Sequence, residues 1–97
     1  MEYNNGVAIR WARSADRHGI DREDAKYAIA NRVYWLRDFD EPRIEGGKRP
    51  DLFIGPARDG KQLLEVMAEV TPPRDFFIFH VMNARPKIIE KARRLSI

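Results

Sequence analysis

No cysteine stands anywhere in the 97 residues. That excludes a disulfide framework and a thiolate zinc site, so packing alone must hold the chain, as suits a reducing cytoplasm. Histidine is nearly as scarce. His18 and His80 are the only two, too few for a zinc site without carboxylate help, and neither a metal nor another cofactor is expected. Long apolar runs are missing as well: none approaches the ~18–20 residues of a membrane span, and Met1-Glu2-Tyr3 lacks the basic and apolar regions of a signal peptide. A soluble cytoplasmic protein with no membrane partner is expected. Without an internal repeat or a low-complexity tract, residues 1–97 read as one small domain with a modest core.

Most of the chain also lacks a surplus of either charge. Lys and Arg number 18 against 15 Asp and Glu, for a formal net charge of +3. Residues 84–97 hold Arg85, Lys87, Lys91, Arg93 and Arg94 against Glu90 alone, so the surplus lies at that end and the preceding 13 basic and 14 acidic groups come to −1. Such a basic run suits a phosphate backbone or an acidic protein partner, and a solvated helix face accounts for it equally well.

What is present is a clear sequence of elements. Ala8, Trp11, Ala12 and Ala15 recur at three- and four-residue spacing with Arg10, Arg13 and Arg17 mostly opposite, which predicts a helix from Val7 to Arg17. Gly19 stops it. Asp21 then caps a second helix reaching about Asn31, with Ile20 packing on Ala25 as a staple. Val33-Tyr34-Trp35-Leu36 reads as a short edge strand, and Asp38 to Pro50, with Pro42, Gly46, Gly47 and Pro50, as a surface loop whose Arg43, Lys48 and Arg49 either reach a ligand or are simply solvated.

Leu52 to Gly55 gives a second strand and Asp59-Gly60 a hairpin turn. Lys61 to Val70 follows as the third strand, sorting Leu64, Val66, Ala68 and Val70 to one face and Leu63, Glu65, Met67 and Glu69 to the other. Pro72 and Pro73 force a turn. Phe76 to Met82 returns antiparallel, with Phe77, Phe79 and Val81 on one face and Phe76, Ile78, His80 and Met82 on the other, His80 falling on the carboxylate side. Pro86 opens a last helix whose stripe of Ile88, Ile89, Ala92 and Leu95 should dock on the sheet. The expected fold is therefore α+β: two N-terminal helices, a four-stranded mostly antiparallel sheet and a C-terminal helix.

Three stretches of this chain together resemble the BrnT family of toxins, which has a RelE-like fold. His18-Gly19-Ile20-Asp21-Arg22-Glu23-Asp24-Ala25 is similar to the family's first joint, Ile54-Gly55 with Gly60-Lys61 and Leu63-Leu64 to its hairpin, and Ala84-Arg85 with Glu90 and Arg93-Arg94 to its closing segment. Departures fall at the entry to the first helix, which lacks an aromatic and acidic start, at Pro86, and at Ile78 and His80, where outward-facing arginines are the pattern. The resemblance implies the toxin of a type II toxin–antitoxin system that inhibits translation by metal-independent RNA cleavage. Its implied partners are RNA or the ribosome and a cognate antitoxin with a DNA-binding region, through which alone it meets DNA. A non-catalytic interaction domain that binds an antitoxin-like or other acidic protein is the alternative.

Metal-free RNA cleavage needs a base for the 2′-OH, an acid for the leaving 5′ oxygen and a cation for the charge that builds on phosphorus. Arg85 is the candidate charge stabiliser, its fork matching phosphate oxygens; the competing role is a salt bridge to Glu65 or Glu90. His80 is the candidate acid or base, since an unperturbed imidazole titrates near ~6.5; half-burial as a packing residue is its alternative. Glu65 is a candidate base or a partner for Arg85, and Glu69 is a similar candidate or a partner for Lys61. Lys61, Lys87, Arg93 and Arg94 are candidate RNA-backbone contacts. His18 caps and packs, or takes part in chemistry.

Overall fold

The computed structural model describes residues 2–4 and 6–96, with side chains from residue 6 onward. The class is α+β. Along the chain run β1 (Glu2–Asn4), β2 (Val7–Trp11), a 3-10 turn (Arg13–Asp16), α1 (Arg22–Ala30), β3 (Tyr34–Leu36), β4 (Asp51–Pro56), β5 (Leu63–Thr71), β6 (Asp75–Asn83) and α2 (Pro86–Leu95). The strands form one sheet in the order β1-β2-β6-β5-β4-β3, with β2 and β6 parallel and every other pair antiparallel. Among the described residues, six strands and two α-helices thus replace the four strands and three helices expected.

The largest departure is at the beginning. Residues 7–17 are not a helix: β2 lies beside β6, and only Arg13–Asp16 turns, in 3-10 geometry. Two periods compete in these residues. The three- and four-residue recurrence of alanine and Trp11 loses to a period of two in which Val7, Ile9 and Trp11 face the core cluster that α1 covers, as β-branched residues favour in a pleated sheet. Gly6, at φ +80°, makes the reversal between β1 and β2.

The remaining elements follow the sequence closely. Gly19 takes φ +71° after the 3-10 turn, Asp21 accepts the Glu23 N–H at 2.8 Å as the α1 cap, and Ile20 packs on the cluster that contains Ala25. β3 is an edge strand, no strand or helix interrupts residues 38–50, and Gly60 at φ +73° closes the β4–β5 hairpin. The face assignment of β5 holds too: Leu64, Val66, Ala68 and Val70 pack in one cluster, Met67 in the other.

The core lies on both sides of the sheet. Beneath α1 and the 3-10 turn, Ile9, Ala15, Ala25, Ala28, Phe53, Leu64, Val66, Ile78 and Val81 form the first cluster. The close approach depends on Gly55, where an added Cβ would lie 2.1 Å from the Ala28 carbonyl oxygen. Beneath α2, Ala92, Ile88 and Ile89 pack with Leu52, Ile54, Met67, Tyr34 and Leu36. Leu95 does not join that stripe and is 58 % exposed, because α2 ends there, beyond its seat on the sheet. Among the described residues no helix is long and apolar enough to cross a membrane.

One irregularity in β6 decides where its side chains point. His80 is opposite Met67 and Ile78 opposite Ala68, so Phe79 is an extra residue, a β-bulge. A one-residue insertion reverses the side-chain alternation beyond it. Phe76 and Ile78 therefore share the α1 face with Val81, and His80 and Met82 share the face of Glu65 and Met67. The expected grouping of Phe76 and Ile78 with His80 is wrong for this reason, although the bulge still brings His80 to the carboxylate-bearing face.

Candidate functional site

At the end of β5 and β6 nearest α2, Glu65, His80 and Arg85 meet. The Glu65 side chain is fully buried, and its two oxygens accept four hydrogen bonds. Oε1 receives the Arg85 backbone N–H at 2.9 Å and Nε at 3.1 Å, and Oε2 receives Arg85 Nη2 at 2.7 Å and His80 Nε2 at 2.9 Å. A carboxylate only accepts, so the His80 proton sits on Nε2 and its Nδ1 is the free ring nitrogen. Arg85 is also the residue before Pro86 at the start of α2, which places the Glu65 charge at a helix N-terminus, where the dipole favours an anion.

Burial is the strongest single influence on Glu65 and favours its neutral form, but the side-chain and backbone hydrogen bonds of Arg85, the His80 hydrogen bond and the Arg85 charge together outweigh it. Its carboxyl is held below the ordinary 4.5. The Glu65 hydrogen bond in turn raises the Arg85 pKa, so the guanidinium stays cationic. Two of its five N–H donors are spent on Glu65, three remain, and the side chain is 38 % exposed. The His80 side chain is 23 % exposed. The cluster is thus a buried anion that fixes one cation and one imidazole, each with a polar edge left toward solvent.

His18 completes the group. Its ring stands edge-on to His80 with centroids 6.0 Å apart, and the residue is exposed. β2 covers β6 only as far as Ile78; beyond it Ser14 Oγ donates to the Phe79 carbonyl at 2.7 Å, so the 3-10 turn runs along the free edge of β6 and carries His18 to this side. Sequence spacing gives no hint of the pairing, since 62 positions separate the two histidines.

The four candidate backbone contacts do not sit together. Leu63 accepts the Ala84 N–H at 2.8 Å, which puts the Lys61 turn at the same end of the sheet as Arg85, and Lys87 is in the first turn of α2. Both are exposed. Arg93 and Arg94 lie in the last turn, about 12 Å along the helix at 1.5 Å per residue, and Arg93 is already bonded to Glu90 at 2.6 and 3.1 Å. Glu69 pairs not with Lys61 but with Arg43 at 3.3 Å.

Two arginines from other elements border the aromatic rings of β6. Arg10 on β2 is opposite Phe77 and holds its guanidinium 5.3 Å from that ring, while Arg43 from residues 38–50 stands 4.7 Å from the Phe79 ring and 5.3 Å from Phe77. A period-two reading of Val7–Trp11 would have put Arg10 on this face; no local signal in the loop gives the path of Arg43. Among the described residues no three of His, Asp and Glu gather as a metal-holding set. No protein-family model, curated protein or solved structure matches this chain.

Proposed function

We propose that this protein is the toxin of a type II toxin–antitoxin pair, a metal-independent ribonuclease of BrnT type and RelE-like fold. The observation that carries this reading is the Glu65–His80–Arg85 cluster with His18 beside it. These residues meet three demands of RNA transesterification: a titratable nitrogen, a fixed cation and an anchor that holds both. His80 Nδ1 takes the 2′-OH proton, the 2′ oxygen attacks phosphorus, and the three unspent N–H groups of Arg85 stabilise the oxyanion. His18, across the imidazole pair, protonates the departing 5′ oxygen. Glu65 touches no substrate in this scheme and is a positioning residue, orienting His80 as a carboxylate orients the imidazole of a hydrolase triad. Lys61 and Lys87 steer the RNA backbone. The partners are RNA or the ribosome and a cognate antitoxin with a DNA-binding region.

The doubly bonded Arg85–Glu65 contact favours a second reading, in which the pair is purely structural and the domain binds an antitoxin-like partner without catalysis. One experiment separates the two. Incubated with RNA in EDTA, the purified chain should leave 2′,3′-cyclic phosphate and 5′-OH ends. His80→Gln, which keeps a donor for Glu65 but cannot shuttle a proton, should lower the rate by about 10²–10⁴; Arg85→Lys, which keeps the charge but not the fork, by about 10². Induction without the antitoxin should arrest growth. Intact RNA and undisturbed growth with soluble, folded protein would sink the ribonuclease reading.

A further inference from the structure

We infer that the outer face of β6 is a stacking platform for single-stranded RNA, with Phe77 and Phe79 beneath the bases and Arg10 and Arg43 serving the phosphates. What the strand is delivered to rests on the ribonuclease reading; the binding itself does not.

The platform follows from the uneven covering of this side of the sheet. α2 packs over Leu52, Ile54, Met67 and Tyr34, the β3–β5 flank, and Phe77, Phe79 and His80 are left half-buried on the β6 flank. Half-exposed phenylalanine on a strand is apolar surface kept in contact with water. The bulge at Phe79 puts that ring and His80 on one side although they are neighbours in sequence, so three rings follow one another toward Arg85. Phe77 and Phe79 are two residues apart along the strand, on the same side of it.

Cations border the same rings. The Arg43 guanidinium is held over both by Glu69 at 3.3 Å, and its side chain remains 34 % exposed, so an incoming base displaces it from the ring or stacks on its outer plane; Arg10 is exposed beside Phe77. The two β5 carboxylates of this face are engaged, Glu69 by Arg43 and Glu65 within the buried cluster. Asp75, exposed and opposite Thr71, shares the face at the end of β6 far from that cluster, so the cations rather than the acids border Phe77 and Phe79. Aromatic rings on a sheet with arginines beside them match the chemistry of an unpaired strand, whose bases have bare faces and whose backbone is anionic. A duplex hides those faces, and an acidic protein segment makes no use of the rings' spacing. The surface also runs directly into His80 and Arg85, so a strand lying on it would bring a phosphate to the cluster.

The test uses the full chain and a labelled 2′-O-methyl RNA of about ten nucleotides, which has no 2′-OH to react, so binding is read independently of cleavage. Phe77→Leu and Phe79→Leu keep the apolar contact and should each weaken binding about 5- to 100-fold. Arg43→Gln should lower the slope of log affinity against log salt by about 0.7. Arg58→Gln, remote from this face, should change nothing, and the duplex form should bind more weakly than the single strand. The proposal is overturned if both leucine variants melt like the wild type and keep its affinity, if the duplex binds as tightly, or if the oligonucleotide fails to bind at ~0.15 M salt while an acidic peptide does. Should the leucine variants not fold, the double variant Arg10→Gln, Arg43→Gln carries the decision, and an unchanged salt slope counts against the platform. Binding without cleavage of ordinary RNA would refute the ribonuclease reading alone; cleavage with unaffected platform variants would refute the platform alone.

Discussion

The two faces of the sheet are built on different principles. Under α1 the contacts are small and apolar: Ala15, Ala25 and Ala28 let the helix come down on Gly55 and Phe53. The buried acid on the sheet beneath it, Asp51, is satisfied by neutral donors, Trp35 Nε1 at 2.8 Å and the Asp38 N–H at 3.0 Å. Under α2 the buried acid, Glu65, is satisfied by a cation and an imidazole whose far edges reach solvent. A buried ion pair is rarely the most stable filling for a core, since apolar residues of similar volume do as well or better. The face beneath α1 is optimised for packing, and the face beneath α2 gives up packing to hold charges in fixed positions at a surface, which is what a site requires.

The sharpest way to break this contrast is to remove one partner of the Glu65 cluster. Arg85→Ala leaves a fully buried carboxylate with His80 and one backbone N–H, and should cost about 3–5 kcal/mol in urea unfolding, more than 10 °C in melting temperature for a domain of this size. Glu65→Leu should cost less than half as much, because Arg85 and His80 are both partly exposed and can rehydrate. Equal losses from the two substitutions would mean that the pair is an ordinary salt bridge and the asymmetry imaginary.

The face under α1 has its own weak point. At Gly55 an added Cβ would meet the Ala28 carbonyl oxygen at 2.1 Å and its carbon at 2.8 Å, both backbone atoms that cannot rotate away. Gly55→Ala should therefore cost about 1–3 kcal/mol, as overpacking does, by forcing α1 off the sheet. His80 and Arg85 lie on the opposite side, so any cleavage rate per folded molecule should be unchanged. A variant that melts normally, or one that keeps its fold but loses cleavage, would show that the two faces are not independent.

These faces were unevenly legible in the sequence. Elements whose signals are local came through: Asp21 as a cap, Gly19 and Gly60 at positive φ, the turn at Pro72-Pro73, Pro86 at the start of α2. β2 did not, because Val7 to Arg17 satisfies two periods and the choice between them is made by β6, more than sixty residues away. The parity of β6 failed for a related reason. A bulge is a property of the pair β5–β6, and neither strand alone announces it. In the site, Glu65, His80 and Arg85 were named from side-chain chemistry and strand alternation and do meet, whereas His18 and Arg43 reach it along paths set by a 3-10 turn and a loop. The separation of Arg93 and Arg94 from Arg85 follows from helical rise alone, but in the linear sequence all three form one basic run.

A smaller effect tests the contrast through pH. Each face has a carboxylate whose pKa an arginine lowers: Glu65, where burial is outweighed by Arg85 and His80, and Asp24, through hydrogen bonds from Arg58. A folded pKa below the unfolded one adds stability that is complete above the unfolded value and is lost as pH falls through the folded value. For Glu65 that loss begins near its ordinary 4.5 and its slope is at most ~1.4 kcal/mol per pH unit. The Asp24–Arg58 pair is at the surface, so at ~1 M salt, with a Debye length of ~3 Å, its charge attraction is screened while the buried cluster keeps its own. Urea unfolding between pH 3 and 6 in high salt should therefore show a slope in the wild type that is reduced in Glu65→Gln and retained in Asp24→Asn. If the two variants lose equal slope, the buried anion is no more protected from solvent than the surface one, and the distinction between the faces fails at the residue on which it depends.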